Sequence, residues 1–303
     1  MAARATAREQ RVWTVMDVIR ASGEYLDGKG LEHGRLDAEH LLAHVLDAGR
    51  LHLYLHFDRP LSVDERGRLK PLLRRRGQRE PLQYILGSAP FRELVLDVDR
   101  RVAIPRPETE YLIDVLQRAA GRDRVFESAL DVGTGSGAIA LALATEGLAR
   151  AVTATDISTA ALAVARNNAA ASGVATIDFR EGRLLEPVAG RTFDLVLSNP
   201  PYLTEEEWRS AQPEVRQWEP RTAMVSGEDG LEVIRGLVNG LGDILRPGGW
   251  VGLEVGNSQA ETVVHMLEAV PGLDAAGVHD DLTGRPRYVL GRKTGEPQAQ
   301  PIA

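Results

Sequence analysis

From Ser128 to the end of the chain, short apolar runs alternate with longer amphipathic segments. The runs SALDVG, AVTATD, TIDFR, FDLVLSN, GWVGLEVG and RYVLG predict strands, and most of the segments between them place apolar residues at helical spacing. Strands that alternate with helices are typical of a parallel sheet with helices on both faces. The alternation therefore predicts an α/β fold with a mostly parallel sheet over residues 106–292.

The N-terminal part of the chain has a different pattern. Apolar residues at three- and four-residue spacing predict a small helical bundle over residues 1–80, in which Asp37 is expected to cap the second helix. Ser62 and Glu65 have the spacing of a capping box. Alternating residues over 91–105 predict a hairpin within a linker of residues 81–105, and the tail at 293–303 is expected to be disordered.

Composition limits the classes of protein to which this chain can belong. It has no cysteine among 303 residues, which excludes disulfides and thiolate metal sites and is consistent with a cytoplasmic location. No signal peptide and no membrane span is expected. Residues 1–80 hold 15 Lys/Arg against 12 Asp/Glu, whereas residues 81–303 hold 21 against 31. This asymmetry indicates two units with different partners and argues against DNA binding by the acidic part.

Three glycines, Gly133, Gly135 and Gly137, stand between a predicted strand and a predicted helix, with Thr134 and Ser136 between them. Glycine lets the backbone turn sharply and approach a ligand closely, and the free N–H groups at a helix start favour an anionic group. The loop is therefore expected to bind a cofactor.

Asp156 ends the next predicted strand, 25 residues after Asp131. A carboxylate at this place can accept hydrogen bonds from both ribose hydroxyls of a nucleoside. The glycine loop and this acid fit a nicotinamide dinucleotide as well as S-adenosylmethionine, so they do not decide between the two cofactors.

The stretch Ser198-Asn199-Pro200-Pro201-Tyr202 ends the fourth predicted strand of the sheet. The Asn199 oxygen and the Pro200 carbonyl can accept the two N–H bonds of a planar amino or amide group, and Pro201 holds that carbonyl in place. Tyr202 offers a flat face on which such a group can stack. This motif predicts methyl transfer from S-adenosylmethionine to a planar nitrogen.

Five stretches of the sequence resemble one family. The residues that carry the likeness are EPLQYILGSAPF (80–91), VAIPRPETEYLID (102–114), LDVGTGSGAIALALA (130–144), SNPPYL (198–203) and GRPRYVLG (284–291). Together they are similar to the release-factor glutamine N5-methyltransferases, the PrmC/HemK family. The resemblance implies a class I methyltransferase fold with a seven-stranded Rossmann-like sheet and an N-terminal helical substrate-recognition domain.

The resemblance also implies a substrate and site residues. The substrate would be the glutamine of the Gly-Gly-Gln motif in peptide-chain release factors, held by Asn199 to Tyr202 as catalytic and substrate-binding residues. Residues Gly133 to Gly137 would bind S-adenosylmethionine, Asp156 its ribose, Leu184 would flank its adenine, and Asn199 would also touch the cofactor. The protein itself is expected to be a monomer.

Some questions stay open at the level of sequence. Arg183 stands where many members have an acidic or polar residue. Arg106, Glu108 and Glu110 could line a substrate entrance or brace a domain junction.

Two alternative functions are transfer of a methyl group to N6 of adenine in nucleic acid and a non-catalytic binding role. The seven histidines show no metal-ligand pattern, so no metal is expected.

Overall fold

The computed structural model describes residues 12–294, except for the side chains of Ala275 and Ala276. The chain divides into two compact units, Met1–Leu86 and Gly87–Ala303. The sequence places the end of the helical region at residue 80, whereas the boundary between the units lies six residues later. The disordered tail predicted at 293–303 begins too early, because Lys293 is the final residue of a strand and donates to the Gly242 and Leu245 carbonyls. From position 295 onwards the predicted tail lies outside the described residues.

The first unit is helical over its described residues. Its helices are α1 (Val15–Asp27), α2 (Gly34–Val45), α3 (Arg50–Leu55), α4 (Val63–Gly77) and α5 (Leu82–Leu86). Ile19, Leu41, Leu53 and Leu69 are buried together in one core cluster. The predicted capping box of α4 is confirmed, because the Ser62 hydroxyl accepts from the Glu65 backbone N–H and the Glu65 side chain accepts from the Ser62 N–H.

The capping role predicted for Asp37 is wrong. Helix α2 begins at Gly34, so Asp37 lies within its first turn. The Asp37 carboxylate is buried and accepts a hydrogen bond of 2.6 Å from the Arg76 guanidinium on α4. Its negative charge is therefore used to join two helices rather than to begin one.

The hairpin lies earlier in the chain than predicted. Strands β1 (Ser88–Phe91) and β2 (Leu94–Asp97) form an antiparallel pair, and no strand covers residues 98–105. The two-residue turn has Arg92 at a φ of 52°. The Arg92 guanidinium fixes this turn, because it binds the carboxylates of Glu146 and Asp114. These contacts with distant residues hold the turn at Arg92, and the alternation of apolar and polar residues alone did not show that position.

The second unit is an α/β domain, as predicted. Its sheet strands are β3 (Phe126–Val132), β4 (Ala149–Asp156), β5 (Ile177–Glu181), β6 (Phe193–Ser198), β7 (Leu245–Glu254), β8 (Leu273–Asp280) and β9 (Pro286–Lys293). Its helices are α6 (Pro107–Ala120), α7 (Ala138–Thr145), α8 (Thr159–Ala171), α9 (Glu205–Ser210), α10 (Pro213–Trp218), α11 (Glu232–Ile244) and α12 (Ala260–Glu268). The strand order is β5-β4-β3-β6-β7-β9-β8, parallel except for the two pairings of β9.

Helices cover both faces of this sheet, because successive side chains of β6 are buried on alternate faces. Leu195 and Leu197 belong to a core cluster with residues of α6 and α7, whereas Val196 belongs to a second cluster with residues of α11 and α12. Successive strand residues point to opposite faces, so a continuous apolar run is buried on both. Among residues 12–294 no helix is long and apolar enough to cross a membrane.

Three elements of this unit were not predicted. Strand β8 is weakly apolar and has a register shift at Gly277, whose φ of 119° few other residues adopt. Helices α9 and α10 have six residues each, too few for a periodic pattern to emerge.

Candidate active site

The carboxyl ends of β3, β4 and β6 border a cavity of about 580 Å³. Strands β3 and β6 are adjacent and parallel, so the loops that follow them meet at one edge of the sheet. The residues singled out by sequence that line the cavity include Gly133, Gly135, Asp156, Leu184 and Asn199 to Tyr202. The two motifs therefore lie on one cavity although 66 residues separate Gly133 from Asn199.

The glycine loop requires glycine at each of its three positions. Gly133, Gly135 and Gly137 have φ angles of 74°, 55° and 88°. A Cβ on either of the first two would meet no protein atom within 4 Å, whereas a Cβ on Gly137 would lie 3.2 Å from Ala165 Cβ. The first two glycines thus open the loop to a ligand, and the third allows α7 to pack against α8.

The two residues between these glycines are directed inward. Thr134 and Ser136 are both buried, and the Thr134 hydroxyl donates to Asp131 at 2.6 Å. The Ser136 carbonyl accepts from the Asn168 Nδ2 at 2.9 Å. The Thr134 side chain and the Ser136 backbone carbonyl thus help to fix the shape of the loop, and neither residue lines the cavity.

Asp156 joins the glycine loop to the end of β4. Its Oδ2 accepts from the Gly135 backbone N–H at 2.9 Å, and its Oδ1 accepts from the Ser158 N–H at 2.8 Å. Burial raises the pKa of this carboxyl above its ordinary value. Each carboxylate oxygen can accept a further hydrogen bond, so Asp156 can bind a diol while it anchors the loop.

Leu184 also lines the cavity and has a φ of 51°, which is uncommon for a residue other than glycine. The Thr155 hydroxyl holds this conformation by donating to the Leu184 carbonyl at 3.3 Å. The neighbouring Arg183 is exposed and 3.4 Å from the Glu232 carboxylate. Arg183, which lines the cavity, is thus paired with an acid from helix α11.

The Asn-Pro-Pro-Tyr turn begins directly after β6, where the sequence predicts the strand to end. The Asn199 Nδ2 donates to the Thr109 hydroxyl at 2.8 Å, and the Tyr202 hydroxyl donates to Glu254 Oε1 at 3.3 Å. The Gln259 Nε2 donates to the Tyr202 carbonyl at 2.8 Å. Both ends of the turn are therefore fixed by side chains from other parts of the chain.

Gly230 allows the chain to pass close behind this turn. Its φ is 73°, and a Cβ there would lie 2.3 Å from the Tyr202 carbonyl oxygen. Any other side chain would displace the turn or break the bond from Gln259.

Glu254 is a site residue that sequence reasoning did not find. It ends β7 and is 1% exposed, and its Oε2 accepts from the Thr109 hydroxyl at 2.8 Å. Burial raises its pKa to about 7. The signal in the sequence was an acid at the end of an otherwise apolar strand, GWVGLEVG, at the edge where a ligand is expected.

The Ile-Pro-Arg segment before α6 borders the same cavity. Glu219 is buried and accepts from the Ile104 backbone N–H at 3.0 Å and from the Arg106 guanidinium. Ile104 and Arg106 line the cavity. Glu108 and Glu110 lie in the first turn of α6, where their charges favour the helix start.

Asp131 is a second residue whose part was not predicted. It is 1% exposed at the end of β3, and burial raises its pKa to about 7. Its Oδ2 accepts from the Thr134 hydroxyl and from the Ala140 N–H, whereas its Oδ1 is buried without a partner. An unpaired buried carboxylate oxygen calls for a cationic or hydrogen-bonding group nearby.

These features fit S-adenosylmethionine, the cofactor implied by the resemblance. The loop leaves open space at two glycines, and Asp156 offers acceptors for ribose hydroxyls. Within the described residues no group of three or more His, Asp or Glu side chains is arranged to hold a metal ion.

Two solved structures have the same fold as the second unit of this chain or as larger parts of it. A methyltransferase from Pyrococcus furiosus is 19% identical, with a TM-score of 0.51 over 67% of this chain and 90% of its own. The catalytic domain of hMettl16 is 16% identical, with a TM-score of 0.53 over 79% of this chain and 84% of its own. At these identities the likeness concerns the fold alone.

Sequence comparison is more specific. The family model of the PrmC N-terminal domain matches residues 17–87, and that of the methyltransferase small domain matches residues 107–214. A release factor glutamine methyltransferase from Geobacter sulfurreducens is 40% identical over 93% of this chain and 97% of its own. One from Xylella fastidiosa is 42% identical over 86% of this chain and 94% of its own. The chain therefore belongs to the release factor glutamine methyltransferase family.

Proposed function

We propose that the protein methylates the side-chain amide nitrogen, N5, of the glutamine in the Gly-Gly-Gln motif of peptide-chain release factors. The observation that carries this proposal is the single cavity shared by the Asn-Pro-Pro-Tyr turn and by the glycine loop with Asp156. The nearly full-length similarity to release factor glutamine methyltransferases supports the choice of substrate. We also propose that the protein is a monomer and that it is located in the cytoplasm.

S-adenosylmethionine supplies an electrophilic methyl group bound to a sulfonium. The residues of the turn orient the nucleophile, because the Asn199 Oδ1 and the Pro200 carbonyl can accept the two N–H bonds of a neutral glutamine amide. Both bonds strengthen as the amide nitrogen gains positive charge during transfer. Asn199 cannot take a proton at neutral pH, so the proton of the methylated nitrogen leaves to water.

Incubation with labelled S-adenosylmethionine tests this function directly. We expect label in an intact release factor, and none in the same factor with its Gly-Gly-Gln glutamine replaced by alanine. Duplex DNA serves as the alternative acceptor, since the adenine amino group has the same chemistry. Label in DNA and not in the release factor would overturn the proposal.

We further propose that the first unit recognises the release factor. It forms a compact unit of its own. Its Lys/Arg residues outnumber its Asp/Glu residues, whereas the opposite holds in the second unit. Its surface exposes Leu51 by 73% and Leu55 by 67%, which is consistent with a contact surface.

Removal of residues 1–86 separates recognition from cofactor binding. We expect a protein of residues 87–303 to bind S-adenosylmethionine with unchanged affinity, since the cavity is built from the second unit. Its kcat/KM on an intact release factor should fall by about 100-fold or more, as for the loss of several interface contacts. Calorimetry and label transfer measure the two quantities. Full activity in a fragment that binds cofactor would contradict the recognition role.

A further inference from the structure

Thr109 lies in the Pro-Arg-Pro-Glu-Thr-Glu stretch and stands between two site residues. Its hydroxyl oxygen is 2.8 Å from the Asn199 Nδ2 and 2.8 Å from the Glu254 Oε2. Thr109 is 4% exposed and Glu254 is 1% exposed, so water does not compete for these bonds. The three side chains form a chain of hydrogen bonds, Glu254–Thr109–Asn199, that begins in the core and ends at the cavity. This chain of hydrogen bonds is called the relay below.

The chemistry of these groups sets the direction of both bonds. An ionised carboxylate only accepts hydrogen bonds, and a hydroxyl has one proton to give. Whenever Glu254 is ionised, Thr109 therefore donates to it, which leaves only lone pairs on the Thr109 oxygen for Asn199. The Asn199 amide must then turn its NH2 group toward Thr109, and its Oδ1 is directed away from it.

Shape alone would not select this orientation, because the oxygen and the NH2 group of an amide are nearly the same size. An inverted Asn199 would present N–H groups to the N–H groups of a substrate amide, which repel each other. The turn can accept a substrate amide only when the side chain is held in one of its two orientations.

We propose that Thr109 and Glu254 are positioning residues that hold the Asn199 amide with Oδ1 available to the substrate. The inference rests on the proposed function in one respect, that the substrate offers an amide N–H to Asn199. Glu254 has a second contact with the same turn, because its Oε1 accepts from the Tyr202 hydroxyl. One buried carboxylate thus orients both the first and the last residue of the motif.

Substitution of Thr109 tests the relay by kinetics. Thr109→Val keeps the shape and removes the hydroxyl, and we expect kcat on release factor to fall about tenfold, as for a misplaced catalytic group. S-adenosylmethionine affinity and the KM for release factor should change much less. Thr109→Ser retains the hydroxyl and should restore most of the rate. Wild-type kcat in Thr109→Val, or no rescue by Thr109→Ser, would overturn the inference.

The matched control is Thr153→Val. Thr153 is equally buried, on the neighbouring strand β4, and its hydroxyl accepts from Arg191 rather than from a cavity residue. We expect its kcat to equal that of the wild type, so a loss confined to Thr109→Val cannot come from removal of a buried hydroxyl in general.

Glu254→Gln tests whether the carboxylate sets the direction. Glutamine has nearly the same shape but can donate as well as accept, so it permits either orientation of Thr109 and Asn199. We expect a kcat between those of Thr109→Ser and Thr109→Val. A wild-type kcat would remove the carboxylate from the proposal.

A measurement without substrate keeps the relay distinct from the proposed function. The side-chain NH2 signal of Asn199, assigned by its loss in Asn199→Asp, should exchange slowly with solvent in the wild type and at least about tenfold faster in Thr109→Val, because a buried hydrogen bond is lost. Unchanged exchange would overturn the relay. The expected change in exchange, together with a wild type that leaves release factors unlabelled, would refute the proposed function and leave the relay in place.

Discussion

Replacement of Asn199 by alanine should lower kcat on release factor by about 10²–10³, the scale of one lost preorganised hydrogen-bonding group. The Asn199 oxygen accepts an N–H bond that strengthens as charge develops on the nitrogen, so the transition state loses more than the ground state. S-adenosylmethionine affinity should change little, because the glycine loop and Asp156 remain. Single-turnover kinetics with saturating cofactor measure the effect.

Two further variants sharpen this prediction. Asn199→Asp keeps an acceptor oxygen but can no longer donate to Thr109 and brings negative charge toward Glu254, so we expect activity above that of Asn199→Ala and below that of the wild type. Asn167→Ala alters an exposed asparagine on α8 and should behave as the wild type. Turnover by Asn199→Ala at the wild-type rate would show that the role given to the turn is wrong.

Replacement of Asp156 by alanine should weaken S-adenosylmethionine binding by about 1.5–3 kcal/mol, the range for hydrogen bonds to a charged acceptor. This corresponds to about a 10- to 150-fold rise in Kd. Asp156 also holds Gly135 and Ser158 through their backbone N–H groups, so the variant loses loop geometry together with ligand contacts. Isothermal titration calorimetry on folded protein gives the change directly.

Asp156→Asn separates the two parts of this effect. It retains one acceptor oxygen, for the loop or for the ligand, and loses the charge, so its Kd should lie between those of the wild type and Asp156→Ala. Asp243→Ala removes an exposed carboxylate from α11 and serves as the control. Unchanged affinity in a folded Asp156→Ala protein would be incompatible with a ribose-binding role.

Elements with strong local patterns were predictable from the sequence. Helix α8 begins after Ser158 and is followed by Gly173 at a φ of 69°, as its cap residues indicate. Strand β6 ends at the residue before Asn199 because prolines follow. The hairpin and the start of α2 were misplaced because Arg92 and Asp37 are held by ion pairs with distant residues.

The candidate active site also contains parts set by local motifs and parts set by contacts between distant residues. The glycine loop, Asp156 and the Asn-Pro-Pro-Tyr turn are contiguous motifs, and their chemistry can be derived from residue type. Thr109 and Glu254 lie 90 and 55 residues from Asn199, and nothing local indicates that Thr109 contacts both of the others. Their contact depends on the packing of α6 and on the place of β7 beside β6.

The buried Glu219 has a consequence for the order in which the cavity can form. The glycine loop and Asp156 line the cavity from positions close together in sequence. Another part of the lining needs Glu219 to bind Ile104 and Arg106, which are 115 and 113 residues away. Closing such long loops costs more chain entropy than forming local contacts. The two parts of one cavity lining thus differ in contact order, and the part that holds Ile104 and Arg106 is the one that long-range closure completes.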